Sequence, residues 1–340
     1  MTLVEARARA LGAARRRALT WSGGLAAALA AWLAFTGGQV RSFAFVGVVL
    51  VLLWAVDAYT SWWKLRRAPL APAADDPVAQ QEAALAEAAA ARAQVAAAQR
   101  HAAAVAARPP RLAYGLMALV AVVSAAQLGV VDQSVLAAGL VKPAARAGEW
   151  WRLLTGTYLH GGIIHFWFNF GALRALAPLV EVYAPRLRLP LVYLAAGLAG
   201  SALSLVALPN STSVGASGAI LGLAGFLLVL SYRRPGTLPP ALRRGLLSTL
   251  GLTAVLGVFA FAFIDNAGHV GGTAAGALVA LVTVPRESAP PRPALERFFD
   301  ALGWLAAAVL VAGAVFALVR VVPLHFGPAG FLPRGGLITP

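Results

Sequence analysis

Ser213-Val214-Gly215-Ala216-Ser217-Gly218-Ala219-Ile220-Leu221-Gly222 sets a serine between glycines at the point where a polar loop becomes an apolar helix. Two other polar islands interrupt apolar segments: His160 through Asn169 upstream, and Gly268-His269 downstream. Polar groups in hydrocarbon must find partners, because each one left unsatisfied costs several kcal/mol. A reading of the chain has to account for these three places.

The setting is apolar. Of 340 residues, 60% are hydrophobic and 12% charged, and the mean hydropathy is +0.75. An ordinary soluble domain has about a quarter of its residues charged. Several apolar runs reach the roughly 20 residues that a helix needs to cross about 30 Å of hydrocarbon. The composition therefore indicates an all-α polytopic membrane protein. A net charge of +15 could indicate nucleic acid, but the basic residues sit in short clusters at the ends of apolar runs. That is the positive-inside pattern of cytoplasmic loops, so membrane lipid is the expected surroundings and a nucleic-acid partner is not. There is no cysteine, which excludes disulfides, thiol nucleophiles and thiolate metal sites. No metal or cofactor is expected.

Residues 1–18 are basic, with Arg7, Arg9 and Arg15-Arg16-Arg17, and an apolar run follows. It is longer than a signal-peptide core, has no clear small-x-small cleavage site and leads into a second apolar run. Two helices, about 18–36 and 43–63, are expected as a hairpin within a segment 1–67. Asp57 falls in the second. It is either a functional intramembrane carboxylate or a residue near enough to Lys64 to be hydrated. Residues 68–111 change character. Pro72, Asp75-Asp76-Pro77 and Pro109-Pro110 bracket an Ala/Gln/Glu/Arg-rich stretch, which reads as a polar helix capped by Asp76 with Pro77 at its first position. Its large apolar residues, Val78, Leu85, Val95 and Val105, are too sparse for a coiled-coil seam.

Further apolar spans cover about 112–131, 158–182, 188–208, 216–232, 245–264 and 267–284, with a last one at about 299–321. Loops 183–188, 233–244 and 285–298 carry arginines, whereas 209–215 and 265–266 carry no basic residue. Alternation is consistent, with the N-terminus cytoplasmic. The exception is loop 132–157, which has Lys142, Arg146 and Arg152. Trp150 and Trp151 suit an interfacial position for that loop.

His165 and Asn169 are four apart and share a helix face; His160 projects elsewhere. Interhelical polar glue would explain that pair alone. Ser217 adds something, since a serine at a helix N-terminus has free backbone N–H groups that can donate to an oxyanion. From Ser217 to Arg233 a helix is about 24 Å long, short of the roughly 30 Å core, so Ser217 should lie below the outer surface. Topology puts His269 at a similar depth. Gly218 and Gly222 on one helix, with Gly268, Gly272 and Gly276 on another, form faces that allow close backbone approach. Such an approach lets serine and histidine meet. His269 would take the Ser217 proton for attack on a peptide carbonyl and later protonate the leaving amine. The Ser217 backbone N–H, Asn169 and His165 would stabilise the oxyanion. Asp265, four before His269, reads as a helix cap or as a third member of the site.

With these residues in place, the chain resembles the rhomboid intramembrane serine proteases over about 112–285. Trp151-Arg152 is similar to the family's Trp-Arg motif, and His160-x4-His165-x3-Asn169 to its His/His/Asn motif, followed by Glu181 at the place of a structural glutamate. Gly215-Ala216-Ser217-Gly218 resembles the family's Gly-x-Ser-Gly, and His269-x2-Gly272-x3-Gly276 its histidine-bearing helix. The resemblance implies a six-helix core with a Ser217–His269 dyad opening to the outer side of the cell (inner) membrane. It implies cleavage of single-pass transmembrane substrates, oxyanion roles for His165 and Asn169, and structural roles for His160, Arg152 and Glu181. Residues 286–340 would then hold a cytoplasmic loop, a seventh helix and a short outer tail. Leu221 departs from the pattern, because some members have there a tyrosine that stacks on the histidine. Two rival readings remain. One is an inactive rhomboid-like protein that escorts membrane clients, which would lack the serine or the histidine. The other is a transporter, for which the spans offer few charges beyond Arg174 and Glu181. Oligomeric state is left open.

Overall fold

Alanine and leucine give up little on entering a helix, and the runs they dominate fold as helices throughout the computed structural model. It describes residues 3–34, 58–59, 61–63, 66, 77–259, 264–286 and 292–326, which fall into two units, 1–98 and 99–340. In the first, α1 (Leu3–Ala34) is a single helix that continues through the arginine triplet, so it starts well before the apolar run. Most of the second expected hairpin span, with Asp57, lies outside the described residues. Helix α2 (Pro77–Ala107) opens on its proline as expected, and Val78, Leu85 and Val95 are exposed along it.

The second unit begins with α3 (Arg111–Ala126). A bend of 118° separates it from α4 (Val131–Ala138), so the span expected to reach residue 131 stops earlier. Gly129 takes φ +84° in that bend. Strand β1 (Leu140–Val141) and short helices α5 (Lys142–Arg146) and α6 (Arg152–Thr155) complete the long loop. Helices α7 (Ile163–Tyr183) and α8 (Arg188–Ala207) follow, then strand β2 (Thr212–Ser213). The remainder is α9 (Ser217–Arg233), α10 (Pro240–Phe259), α11 (Asn266–Thr283) and α12 (Pro293–Val321). Among the described residues four helices are long and apolar enough to cross a membrane, and a fifth if the bent pair counts as one. The chain is a polytopic, largely helical membrane protein.

Three boundaries differ from expectation for visible reasons. Helix α7 starts at Ile163 rather than near 158, because Gly162 at φ +137° breaks the chain direction. Helices α10 and α12 both begin earlier, each at a proline, a residue suited to the first helical turn. The two strands are the only β structure among the described residues. They pair antiparallel, Leu140 with Ser213 and Val141 with Thr212.

Helix ends are tied down by buried charges. Glu181, with no exposed surface, accepts the Ala113 N–H at 2.8 Å and so satisfies a free donor in the first turn of α3. Arg188, also fully buried, pairs with Glu296 and with Asp300 at 2.9 Å, and its guanidinium lies 5.1 Å from the Phe299 ring centroid. These contacts fix the start of α12 to the start of α8. Higher up, the Tyr158 hydroxyl donates to the Leu310 carbonyl at 2.8 Å, and Trp151 meets Phe316 edge-on at 5.1 Å.

The tightest packing is between α9 and α11. A methyl group added at Gly272 would run into the Gly218 backbone, and one at Gly276 into the Gly222 carbonyl. From the other side, a methyl at Gly222 would lie 2.9 Å from the Gly272 carbonyl oxygen, and one at Gly218 3.0 Å from that of Gly268. The glycine faces read from the sequence are thus packed backbone to backbone. Gly276→Val should lower stability by about 1–3 kcal/mol through overpacking, read as a lower unfolding temperature in detergent. Gly251→Ala in α10, where a methyl would meet nothing within 4 Å, should leave that temperature unchanged or raise it.

Candidate active site

The α9–α11 contact brings the two suspected residues together. Ser217 is the first residue of α9, and its hydroxyl lies 2.8 Å from His269 Nε2, one turn into α11. Both side chains are half-buried. Starting a helix at Ser217 leaves its N–H without an intrahelical acceptor. The residue before the turn, Gly215, takes φ +127°, a backbone conformation that strongly favours glycine. It also lies against His165: a methyl there would come within 2.8 Å of His165 Cε1 and 3.9 Å of Asn169 Nδ2. His165 and Asn169 therefore flank the backbone just ahead of Ser217, from one face of α7. Asn169 is buried and donates to the His165 carbonyl at 3.0 Å; His165 Nδ1 accepts the Gly161 N–H at 3.3 Å.

His160 meets the His165 ring edge-on at 5.2 Å between centroids, but its hydrogen bonds lie elsewhere. Its Nδ1 lies 3.0 Å from the Ser124 hydroxyl, and Gln127 brackets its backbone, accepting the N–H at 2.8 Å and donating to the carbonyl at 3.2 Å. It stitches the end of α3 to the start of α7. Nothing in the sequence pointed to Ser124 or Gln127 as its partners. Arg152 is equally structural: it is buried, with Nη1 bonding the carbonyls of Leu136 at 3.0 Å and Gly139 at 2.8 Å and Nε pairing with Glu149. It also lies over Trp151, 4.5 Å from the ring centroid, and Arg320 of α12 lies 5.2 Å from the same centroid.

How His269 is held is now visible in part. Leu221 is buried, and among the described residues no aromatic ring stacks on His269. Among the described residues its Nδ1 has no hydrogen-bond partner, and no carboxylate orients it from behind. Asp265 caps α11, accepting the Gly268 N–H at 2.8 Å, while its own carbonyl accepts the His269 N–H at 3.0 Å. The ring is steered by the backbone of its helix and by Ser217. Among the described residues no group of three or more His, Cys, Asp or Glu could hold a metal ion. A small cavity of ≈ 40 Å³ adjoins Ser217 and His269, with Thr157, Ser201, Ser213 and Asp265 in its wall; a space of that size in a polar wall can hold water.

Ser217 and His269 thus meet where two apolar helices pack, in a chain that is similar to known proteins. A model of the Rhomboid domain matches residues 147–286. The chain is 33% identical over 141 residues to "Putative rhomboid protease YdcA" of Bacillus subtilis (strain 168), covering 41% of this chain and 70% of that one. It is 41% identical over 136 residues to "Rhomboid protease GluP" of the same organism, covering 38% of this chain and 25% of the relative. It is 30% identical over 191 residues to "RHOMBOID-like protein 4" of Arabidopsis thaliana, covering 53% and 48%. This protein belongs to the rhomboid family. It spans a quarter of one of these last two relatives and about half of the other.

Gly215→Ala tests the site geometry directly. It should cost about 1–3 kcal/mol of backbone strain and push His165 aside, lowering both the unfolding temperature and the labelling of Ser217 by a fluorophosphonate. Unchanged labelling would mean that the loop relaxes without disturbing the site.

Proposed function

We propose that the chain is an intramembrane serine endopeptidase that cleaves single-pass transmembrane substrates through Ser217 and His269. The observation that carries this reading is the 2.8 Å contact between Ser217 Oγ and His269 Nε2 at the start of a helix. His269 Nε2 accepts the hydroxyl proton as Ser217 Oγ attacks the peptide carbonyl carbon. The oxyanion forms beside the Ser217 N–H, with Asn169 and His165 as further donors, a type of contact worth about 2.7–4 kcal/mol per donor elsewhere. His269 then gives the proton to the leaving nitrogen, the C–N bond breaks and Ser217 is acylated. Water attacks the ester and gives its proton to His269, which returns it to Ser217 as the acid product leaves. This chemistry uses no metal and no cofactor.

The proposed architecture is a six-helix core over 112–285, preceded by a two-helix hairpin in 1–67 and a linker at 68–111, and followed by the seventh helix α12. The arginine-bearing loops face the cytoplasm and the site opens to the outer side of the cell membrane. Burial of Lys142 and Arg152 supports that orientation, because the cations of the exceptional loop are engaged inside its fold rather than displayed on it. An inactive client-binding role is the weaker reading, since both reacting residues are present and in contact.

The test is cleavage of a membrane-embedded reporter in proteoliposomes. Ser217→Ala and His269→Ala should each abolish it, with a loss of about 10⁴-fold or more as in serine–histidine hydrolases. Cleavage at wild-type rate by the Ser217→Ala protein would sink the proposal.

A further inference from the structure

A cluster of polar groups behind the histidine takes no part in the reaction above, yet is costly to bury. Lys142 has no exposed surface, and its ammonium donates to the Ser211 hydroxyl at 2.6 Å. Ser204, equally buried, donates to Asp265 Oδ2 and lies 3.4 Å from the Ser213 hydroxyl. Asp265 Oδ1 accepts the Gly268 N–H. An ammonium removed from water is strongly disfavoured unless an opposite charge compensates it. Burial pushes the Lys142 ammonium below its ordinary range, and the charge of Asp265 opposes that push. The Asp265 carboxyl is held below its ordinary range: burial pushes it up, but hydrogen bonds from Ser204, Ser213 and the Gly268 N–H, with the charge of Lys142, outweigh it.

The placement of the cluster matters more than its members. Lys142 follows β1 directly, and Ser213 lies in β2, whose pairing with β1 fixes the loop ahead of the nucleophile. The Lys142 N–H reaches the Ser211 carbonyl at 3.4 Å, and the Gly215 N–H donates to the Gly156 carbonyl at 2.9 Å. Ser213 is four residues before Ser217, and Asp265 is four before His269. The cluster therefore touches both segments four residues ahead of each reacting side chain. Among the described residues His269 has no partner on Nδ1 and no ring against it, so its position depends on these segments and on its bond to Ser217.

We infer that Lys142 and Asp265 are positioning residues: opposite charges without a direct ion pair, Lys142 bonded to Ser211 and Asp265 joined through Ser204 to Ser213 in the same short segment, which together keep the Ser217 loop in register with the His269 helix. This rests on the assignment of Ser217 and His269 to the reaction. A cap alone would not need the charge, because asparagine caps helices as well as aspartate does.

The experiment compares wild type, Asp265→Asn, Lys142→Met and the double variant in proteoliposomes, measuring kcat, KM and unfolding temperature. Each single variant should lower kcat by about tenfold or more with KM nearly unchanged, since it strands one buried charge. The double variant should recover to within about threefold of wild type, because neither charge remains. If a single variant fails to fold, recovery of folding and kcat in the double supports the pair. Asp265→Asn within about twofold of wild type would leave only the cap and overturn the inference. So would a double variant no better than the worse single. Wild-type cleavage that survives Ser217→Ala overturns the reaction assignment instead, which is a separate result.

Discussion

Close backbone approach between α9 and α11 is the constraint on which the rest depends. A serine and a histidine have short side chains, and they reach each other only if their helices nearly touch. In membrane helices that contact has no hydrophobic drive of its own, because lipid is as apolar as leucine. It comes from shape, and here the carbonyls of Gly218 and Gly222 occupy the space that side chains at 272 and 276 would fill. Helix α8 joins on a third side, where a methyl at Gly200 would lie 2.6 Å from the Gly268 carbonyl oxygen. Helix α9 is only 17 residues long, and the cavity at its start is narrow and lined by glycines.

Around that contact the polar residues work at the ends of segments. Glu181 closes the start of α3, Arg188 holds α12 to α8, and Arg152 gathers the carbonyls of the long loop. Each satisfies backbone or charge that would otherwise be stranded near hydrocarbon. The middle of the bundle supplies proximity, and the ends supply the fixed frame against which Ser217 and His269 are registered.

Much of this could be read from the chain, and the reasons are particular. Spacing of four between glycines survives as geometry, because one turn of helix is nearly four residues; hence the α9–α11 face and the Ser217–His269 meeting were foreseeable. Gly215 was visible too, as a glycine ahead of a helix. Partners were harder. Ser204 in an apolar run carries no mark of the aspartate it serves, and Ser124 and Gln127 none of His160. Lys142 showed only as a charge on the wrong side of a pattern, and the strand pair that explains it is two residues long, below what periodicity can reveal. Asp265 looked like a cap and is one; its second partner, Ser204, is 61 positions away in the chain.

The long loop bears on how such a chain acquires its topology. In the proposed orientation it crosses the membrane with Lys142, Arg146 and Arg152, cargo that the positive-inside bias would retain. Once across, Lys142 and Arg152 are enclosed, and Arg146 bonds the Leu205 carbonyl at 2.9 Å. Returning would require unmaking those contacts before any charge could re-enter lipid. In that orientation, folding of the loop would act as a ratchet on insertion. Tertiary structure formed after translocation would then hold the orientation, and a count of charges alone would describe only the first step.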